Sequence, residues 1–179
     1  MKVIFLDIDG VLNTAETFAT LYKRYGSAVV SNIEVDGFRL EYLKRIIDQT
    51  GAKLVLTSTF RHYFKKENDK IVPTCLRGKN LYVKFLGYDV ELYDTIPMNN
   101  NSREEQIQEW LSSRDDVDNF VIIDDDPNLF YELKDKLIQT SKIRRNSLLM
   151  NFGDSFGLCE KHIYEIVNSL NTKNKVLKK

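Results

Sequence analysis

Two aspartates two residues apart, Asp7 and Asp9, end a short apolar run and are followed at once by Gly10. Residues two apart in an extended chain point the same way, so both carboxylates are expected on one side, and glycine lets the backbone turn there. Two like charges so close repel unless a proton or a cation intervenes. A hard cation with oxygen ligands, Mg²⁺ above all, meets that requirement. Two later runs end in comparable chemistry. Lys53–Ser58 (KLVLTS) closes on Thr57 and Ser58, and Phe120–Ile123 stops in Asp124, Asp125 and Asp126. Aspartates from that last run would complete the cation's shell.

Those three runs read as the strands that must position this chemistry. Val3–Ile8 is almost continuously apolar, as in a strand buried on both faces of a parallel sheet. Phe38–Thr50 carries Phe38, Tyr42, Leu43, Ile46 and Ile47 at helical spacing and meets Gly51 as a stop signal. Ser102 and Glu105 form a capping-box pattern ahead of Ile107, Trp110 and Leu111. Pro127 suits the first turn of a helix that would include Leu129, Phe130 and Leu133, and a last helix is expected from about Cys159 to Leu170. Strands alternating with helices predict an α/β fold: a doubly wound, mainly parallel sheet with helices on both faces and at most a small cap. Sites in such sheets form at the carboxyl ends of the strands, where the polar residues here collect. One domain is expected over residues 1–171, with small inserts at about 14–36 and 62–101 and a lysine-rich tail over 172–179.

At these strand ends the chain resembles a known superfamily. FLDIDGVLN, LVLTSTFR and VIIDDDPN resemble the first, second and fourth signatures of haloacid-dehalogenase-type (HAD) phosphatases, in the expected order. The aromatic-arginine pair Phe60-Arg61 and the later Gly157-Leu158 are similar to features of the small HAD domains associated with nucleic-acid repair proteins. The resemblance spans roughly residues 2 to 168, loosely over 62–100. It implies that Asp7 is the nucleophile and Asp9 the general acid and base. It also implies that Asp7, the backbone carbonyl of Asp9, and Asp124 hold Mg²⁺, with Asp125 in support through water. Thr57, and Ser58 beside it, would bind the phosphoryl oxygens. The third signature is usually a lysine, yet no lysine lies between Lys84 and Lys134. Arg103, 21 residues before Asp124, stands where the signature belongs and offers a permanent charge suited to phosphate oxygens.

Composition narrows the classes further. The chain has 179 residues, 42% hydrophobic and 29% charged, which excludes a disordered chain. Lys plus Arg and Asp plus Glu each total 26, so no overall field draws it to nucleic acid or an acidic membrane. Cys75 and Cys159 form neither a disulfide framework nor a zinc site. No stretch reaches the ~18 apolar residues of a membrane span. A reduced, cytoplasmic domain without an obligate protein partner is the expectation. No Gly-x-Gly-x-x-Gly follows a strand, and Gly78-Lys79 lacks the rest of a P-loop.

Several residues keep two readings. Asp126 is read as a cap for the turn at Pro127 rather than a ligand. Arg61 is either a substrate contact or a surface arginine. Lys142, Arg144 and Arg145 form a solvated charge cluster or a polyanion contact, and His62 and His162 are structural or exposed. Tyr22, Tyr25, Tyr63 and Tyr82 are aromatics that a pocket could use. The expected activity is Mg²⁺-dependent hydrolysis of a phosphomonoester, a phosphorylated small molecule or a nucleic-acid end. A phosphotransferase, or a HAD-like protein that binds phosphate or a partner without turnover, would carry the same residues.

Overall fold

The computed structural model describes residues 1–14, 17, 22, 23, 35–140 and 157–172. Five strands make one parallel sheet: β1 (Lys2–Leu6), β2 (Lys53–Leu56), β5 (Leu92–Thr95), β6 (Asn119–Asp124) and β7 (Leu137–Gln139). Their spatial order is β5-β2-β1-β6-β7, with β1 in register between Lys53–Leu56 and Asn119–Ile123. A separate antiparallel hairpin joins β3 (Phe64–Glu67) and β4 (Lys70–Pro73), and its tip turns through left-handed Asn68 and Asp69. The helices are α1 (Gly37–Thr50), α2 (Leu76–Gly87), α3 (Arg103–Ser112) and α4 (Glu160–Asn171).

Alternation along the central strands divides the core between two faces. Ile4, Leu6, Leu54, Leu56, Val121 and Ile123 belong to one buried cluster with residues of α1, α2 and α4. Val3, Phe5, Val55, Phe120 and Ile122 belong to the other, with Ile107 and Trp110 of α3. Phe5 meets Trp110 and Phe120 edge to face, at centroid distances of 5.3 and 5.7 Å. Trp110 Nε1 donates to the buried Asp94 at 3.1 Å, and Arg114, stacked on the indole, donates to the same carboxylate. These contacts tie α3 to β5 across the face. With helices on both sides of a parallel sheet, the doubly wound α/β reading holds.

Local signals explain where the helices begin and end. Asp36 caps α1 by accepting from Phe38 N–H at 2.9 Å, and Gly51 stops it in the left-handed conformation, φ 65°. Ser102 and Glu105 form the reciprocal capping box at the start of α3. Two expectations need correction. The stretch 62–101 holds more than loops or a cap: it supplies the hairpin, α2 and β5 of the main sheet. β5 was hard to read because Leu92-Tyr-Asp-Thr mixes apolar and polar residues, with Asp94 buried by its Trp110 and Arg114 partners. The segment after Pro127 forms a single 3₁₀ turn, Pro127–Leu129, and the chain then reaches the short edge strand β7.

His162 on α4 is 1% exposed, and its Nδ1 accepts from Cys159 N–H at 3.1 Å. Burial, with Lys161 nearby, lowers its pKa to about 4 from the usual 6.5. As pH falls below 6.5 the unfolded chain takes up the proton before the folded one does. Stability is therefore full above that pH and is lost as pH falls toward 4. Between pH 7.5 and 5 the wild type should lose about 2 kcal/mol relative to His162→Gln, measured by urea unfolding of both proteins.

Candidate active site

β2, β1 and β6 are neighbours, and their ladder continues past the last strand residues. Thr57 N–H donates to Leu6 O at 2.8 Å, and Asp7 N–H to Ile123 O at 3.0 Å. Thr140 N–H, beyond β7, donates to Asp124 O at 3.1 Å. Backbone pairing thus sets Thr57, Asp7 and Asp124 side by side at the carboxyl ends. From β1 the chain goes to β2 on one side, whereas β6 leads to β7 on the other. The acids lie at that reversal, where doubly wound sheets place their ligands.

Asp7 and Asp124 are buried and Asp125 half-buried, and one carboxylate oxygen from each lies within 4.8 Å of the others. The Asp9 carboxylate is not one of these three, although it lies near enough to act on the Asp7 charge. Strand pairing ends before it, and the N–H groups of Val11, Leu12 and Asn13 all turn back onto Ile8 O. Its carboxylate is exposed and accepts from Asn13 Nδ2 at 2.8 Å. Gly10, at φ 72°, completes this turn, and a side chain there would collide with the Asp125 carboxylate.

The charge facing these acids comes from the first residue of α3. Arg103 Nη1 lies 3.1 Å from Asp7 Oδ1 and also pairs with Asp124 Oδ2. The start of α3 is fixed by its capping box and by Glu104, which accepts from the N–H groups of Tyr131 and Leu133. Asp124 Oδ1 accepts from Asp126 N–H at 2.9 Å, while Asp126 itself caps the Pro127 turn.

Three clustered carboxylates against one guanidinium leave a surplus of negative charge out of water. Burial pushes Asp7 up to about 7; Arg103 opposes this, and Asp124, Asp9 and Asp125 add to it. Burial and Asp124 push Asp125 up to about 6. Burial also raises Asp124, against the pull of Arg103. For Arg103 burial works against the charge, but the Asp7 and Asp124 carboxylates outweigh it and raise its pKa. A buried, oxygen-only set with excess negative charge fits a hard divalent cation.

The end of β2 contributes differently. Thr57 Oγ1 is buried and has no hydrogen-bond partner among the described residues. Ser58 Oγ accepts from Phe60 N–H at 3.4 Å and so caps the turn Thr59–Tyr63. The Arg61 guanidinium folds back: Nη1 donates to Thr57 O at 2.6 Å and to Ser58 O at 3.1 Å, and Nη2 to Gln106 Oε1 at 3.0 Å. Its pKa is lowered by burial and by neighbouring Arg103.

A family model for the HAD domain in Swiss Army Knife RNA repair proteins matches residues 3–144. The chain belongs to that HAD family. No curated protein and no solved structure matches it. The matched span of this HAD domain contains Asp7, Asp9, Thr57, Ser58, Arg61, Arg103, Asp124 and Asp125. Membership points to a HAD-type hydrolase. No helix among the described residues is long and apolar enough to cross a membrane.

Two participants escaped the reading of the sequence. Asn13 pins the Asp9 carboxylate, and Gln106 meets Arg61; the one available signal for Gln106 was an amide beside Ile107 on the apolar stripe of α3. Lys142, Arg144, Arg145, Tyr25, most of the 14–36 insert and nearly all of the lysine-rich tail lie outside the described residues.

The raised Asp7 pKa has a measurable consequence for the cation-free protein. The folded state binds a proton that the unfolded state releases near 3.8, so the ionised carboxylate costs stability as pH rises toward 7. With divalent cations chelated, Asp7→Asn should melt higher than wild type at pH 8, by roughly 3 °C or more, and the gap should shrink at pH 5. Differential scanning calorimetry at both pH values checks this.

Proposed function

We propose that this HAD domain is a Mg²⁺-dependent phosphomonoester hydrolase that forms an aspartyl-phosphate on Asp7, acting on nucleotides or on 3′- or 5′-phosphate ends of nucleic acid. The observation that carries the reading is the convergence of buried Asp7 and Asp124 and half-buried Asp125 beside Arg103. The unpartnered Thr57 hydroxyl on the adjacent strand end adds to it. Family membership supports the hydrolase class, and the RNA repair proteins in the family's description support a nucleic-acid substrate.

Asp7, Asp124 and Asp125, with the Asp9 carbonyl, would hold Mg²⁺. Bound there, the ion would offset the carboxylate and phosphate charges and keep Asp7 ionised at neutral pH. An Asp7 carboxylate oxygen attacks phosphorus, a P–O bond forms, and the ester P–O bond breaks. Asp9, held by Asn13 and facing solvent, donates the proton that the leaving alkoxide takes. Water then attacks the acyl phosphate, Asp9 accepts its proton, and inorganic phosphate leaves with Asp7 restored. Thr57 donates its hydroxyl hydrogen to a phosphoryl oxygen. Arg103 orients Asp7 and adds positive charge next to the anion, the part usually taken by lysine.

The test assays a generic phosphomonoester with Mg²⁺, then a panel of nucleotides, oligonucleotides with 3′- or 5′-phosphate ends, and sugar phosphates. Wild type should turn over and should stop when the metal is chelated, and Asp7→Asn should lose activity by roughly 10⁴-fold or more. Equal turnover by both proteins would remove the mechanism. Turnover of sugar phosphates alone would remove the nucleic-acid assignment.

A further inference from the structure

Gln106 is 3% exposed, on the buried side of α3, where an apolar residue would ordinarily stand. Both ends of its amide are engaged, the two N–H hydrogens being shared among three acceptors. Nε2 donates to Asn99 O at 3.0 Å, to Asn99 Oδ1 at 3.1 Å and to Asn101 O at 3.0 Å. Oε1 accepts from Arg61 Nη2 at 3.0 Å. Carbonyl oxygens on one side and a guanidinium on the other allow a single orientation of the amide.

These four contacts join parts of the site that are far apart in the chain. Through Asn99 and Asn101, Gln106 holds the loop that delivers Ser102, the cap on which Arg103 is launched. Through Arg61 it reaches the carbonyls of Thr57 and Ser58, where Arg61 Nη1 is bound. Gln106 lies one helical turn after Arg103, on the same side of α3, so both meet the strand ends from that side. A buried amide spent entirely in this way costs stability unless each bond is kept, and an apolar residue would leave Arg61 Nη2 and the Asn99 and Asn101 carbonyls short of a partner.

We propose that Gln106 is a positioning residue: it orients Arg61 and, through it, the Thr57-Ser58 strand end that receives the phosphoryl group. This rests on the phosphohydrolase reading above. Gln106 is bonded to Arg61, Asn99 and Asn101 and acts through the geometry of these partners.

The experiment measures kcat and KM for a generic phosphomonoester with Mg²⁺, together with tungstate binding by calorimetry. It uses wild type, Gln106→Met, Gln106→Glu, Arg61→Ala and the double variant Gln106→Met/Arg61→Ala. Gln106→Met should lower kcat by roughly 10- to 100-fold with little change in KM, and weaken tungstate binding. Gln106→Glu keeps the acceptor for Arg61 and should recover part of the loss. In the Arg61→Ala background Gln106→Met should cost clearly less than it does in wild type, because the part of its effect that passes through Arg61 is already lost and only the Asn99 and Asn101 bonds remain. Unchanged kcat in folded Gln106→Met, or losses that multiply in the double variant, would overturn the proposal while leaving the hydrolase reading intact. If Gln106→Met does not fold, Gln106→Glu decides: activity no better than that of Arg61→Ala overturns it. A wild type that neither turns over substrate nor binds tungstate overturns both readings.

Discussion

Crowding of negative charge at the ends of two adjacent strands is the constraint to which the surrounding structure answers. Asp7 and Asp124 sit next to each other because β1 and β6 pair in register, and Asp125 follows directly. Burial, and after it repulsion from neighbouring carboxylates, drives the carboxyl pKa values upward, and one guanidinium only partly offsets this. A site in that condition is poised to take up positive charge. Those unfavourable electrostatics are what a hard cation with oxygen ligands would relieve.

The sheet and the helices divide the labour. Backbone pairing fixes the acids and Thr57, and such pairing is stiff, because each N–H and C=O between neighbouring strands is shared. The compensating arginine arrives from α3, a helix anchored at its other end by Trp110 against Phe5 and Asp94. Its first turn is held by a capping box and by Glu104 gripping the chain beyond β6. Side-chain placement at the helix start is therefore set by contacts at both ends of the element.

Much of this was legible in residue order. Apolar runs ending in Asp7, in Thr57-Ser58 and in Asp124-Asp125 located the three central strands and the site, since burial on both faces leaves an unbroken hydrophobic signal. Ser102 and Glu105 located α3, and hence Arg103, because a capping box is a local device. The edge strands β5 and β7 were not legible: Asp94 is buried only through partners on α3, and Leu137-Ile-Gln is too short to show a period. The outward turn of Asp9 depended on Asn13 and on three N–H groups sharing Ile8 O, which the spacing of two aspartates does not contain. Gln106 was invisible for the same reason: its four hydrogen bonds go to three residues on two distant segments, Arg61 on one and Asn99 and Asn101 on the other.

Placing the arginine on α3 has a bearing on how the working state comes together. The acids belong to the sheet itself, but their counter-charge is supplied by the layer on one side only, and that layer packs through one aromatic cluster. Loosening of that layer would leave a well-formed sheet whose acids had lost their guanidinium. The charge balance at the strand ends is thus set by the local stability of a ten-residue segment rather than by the stability of the domain as a whole.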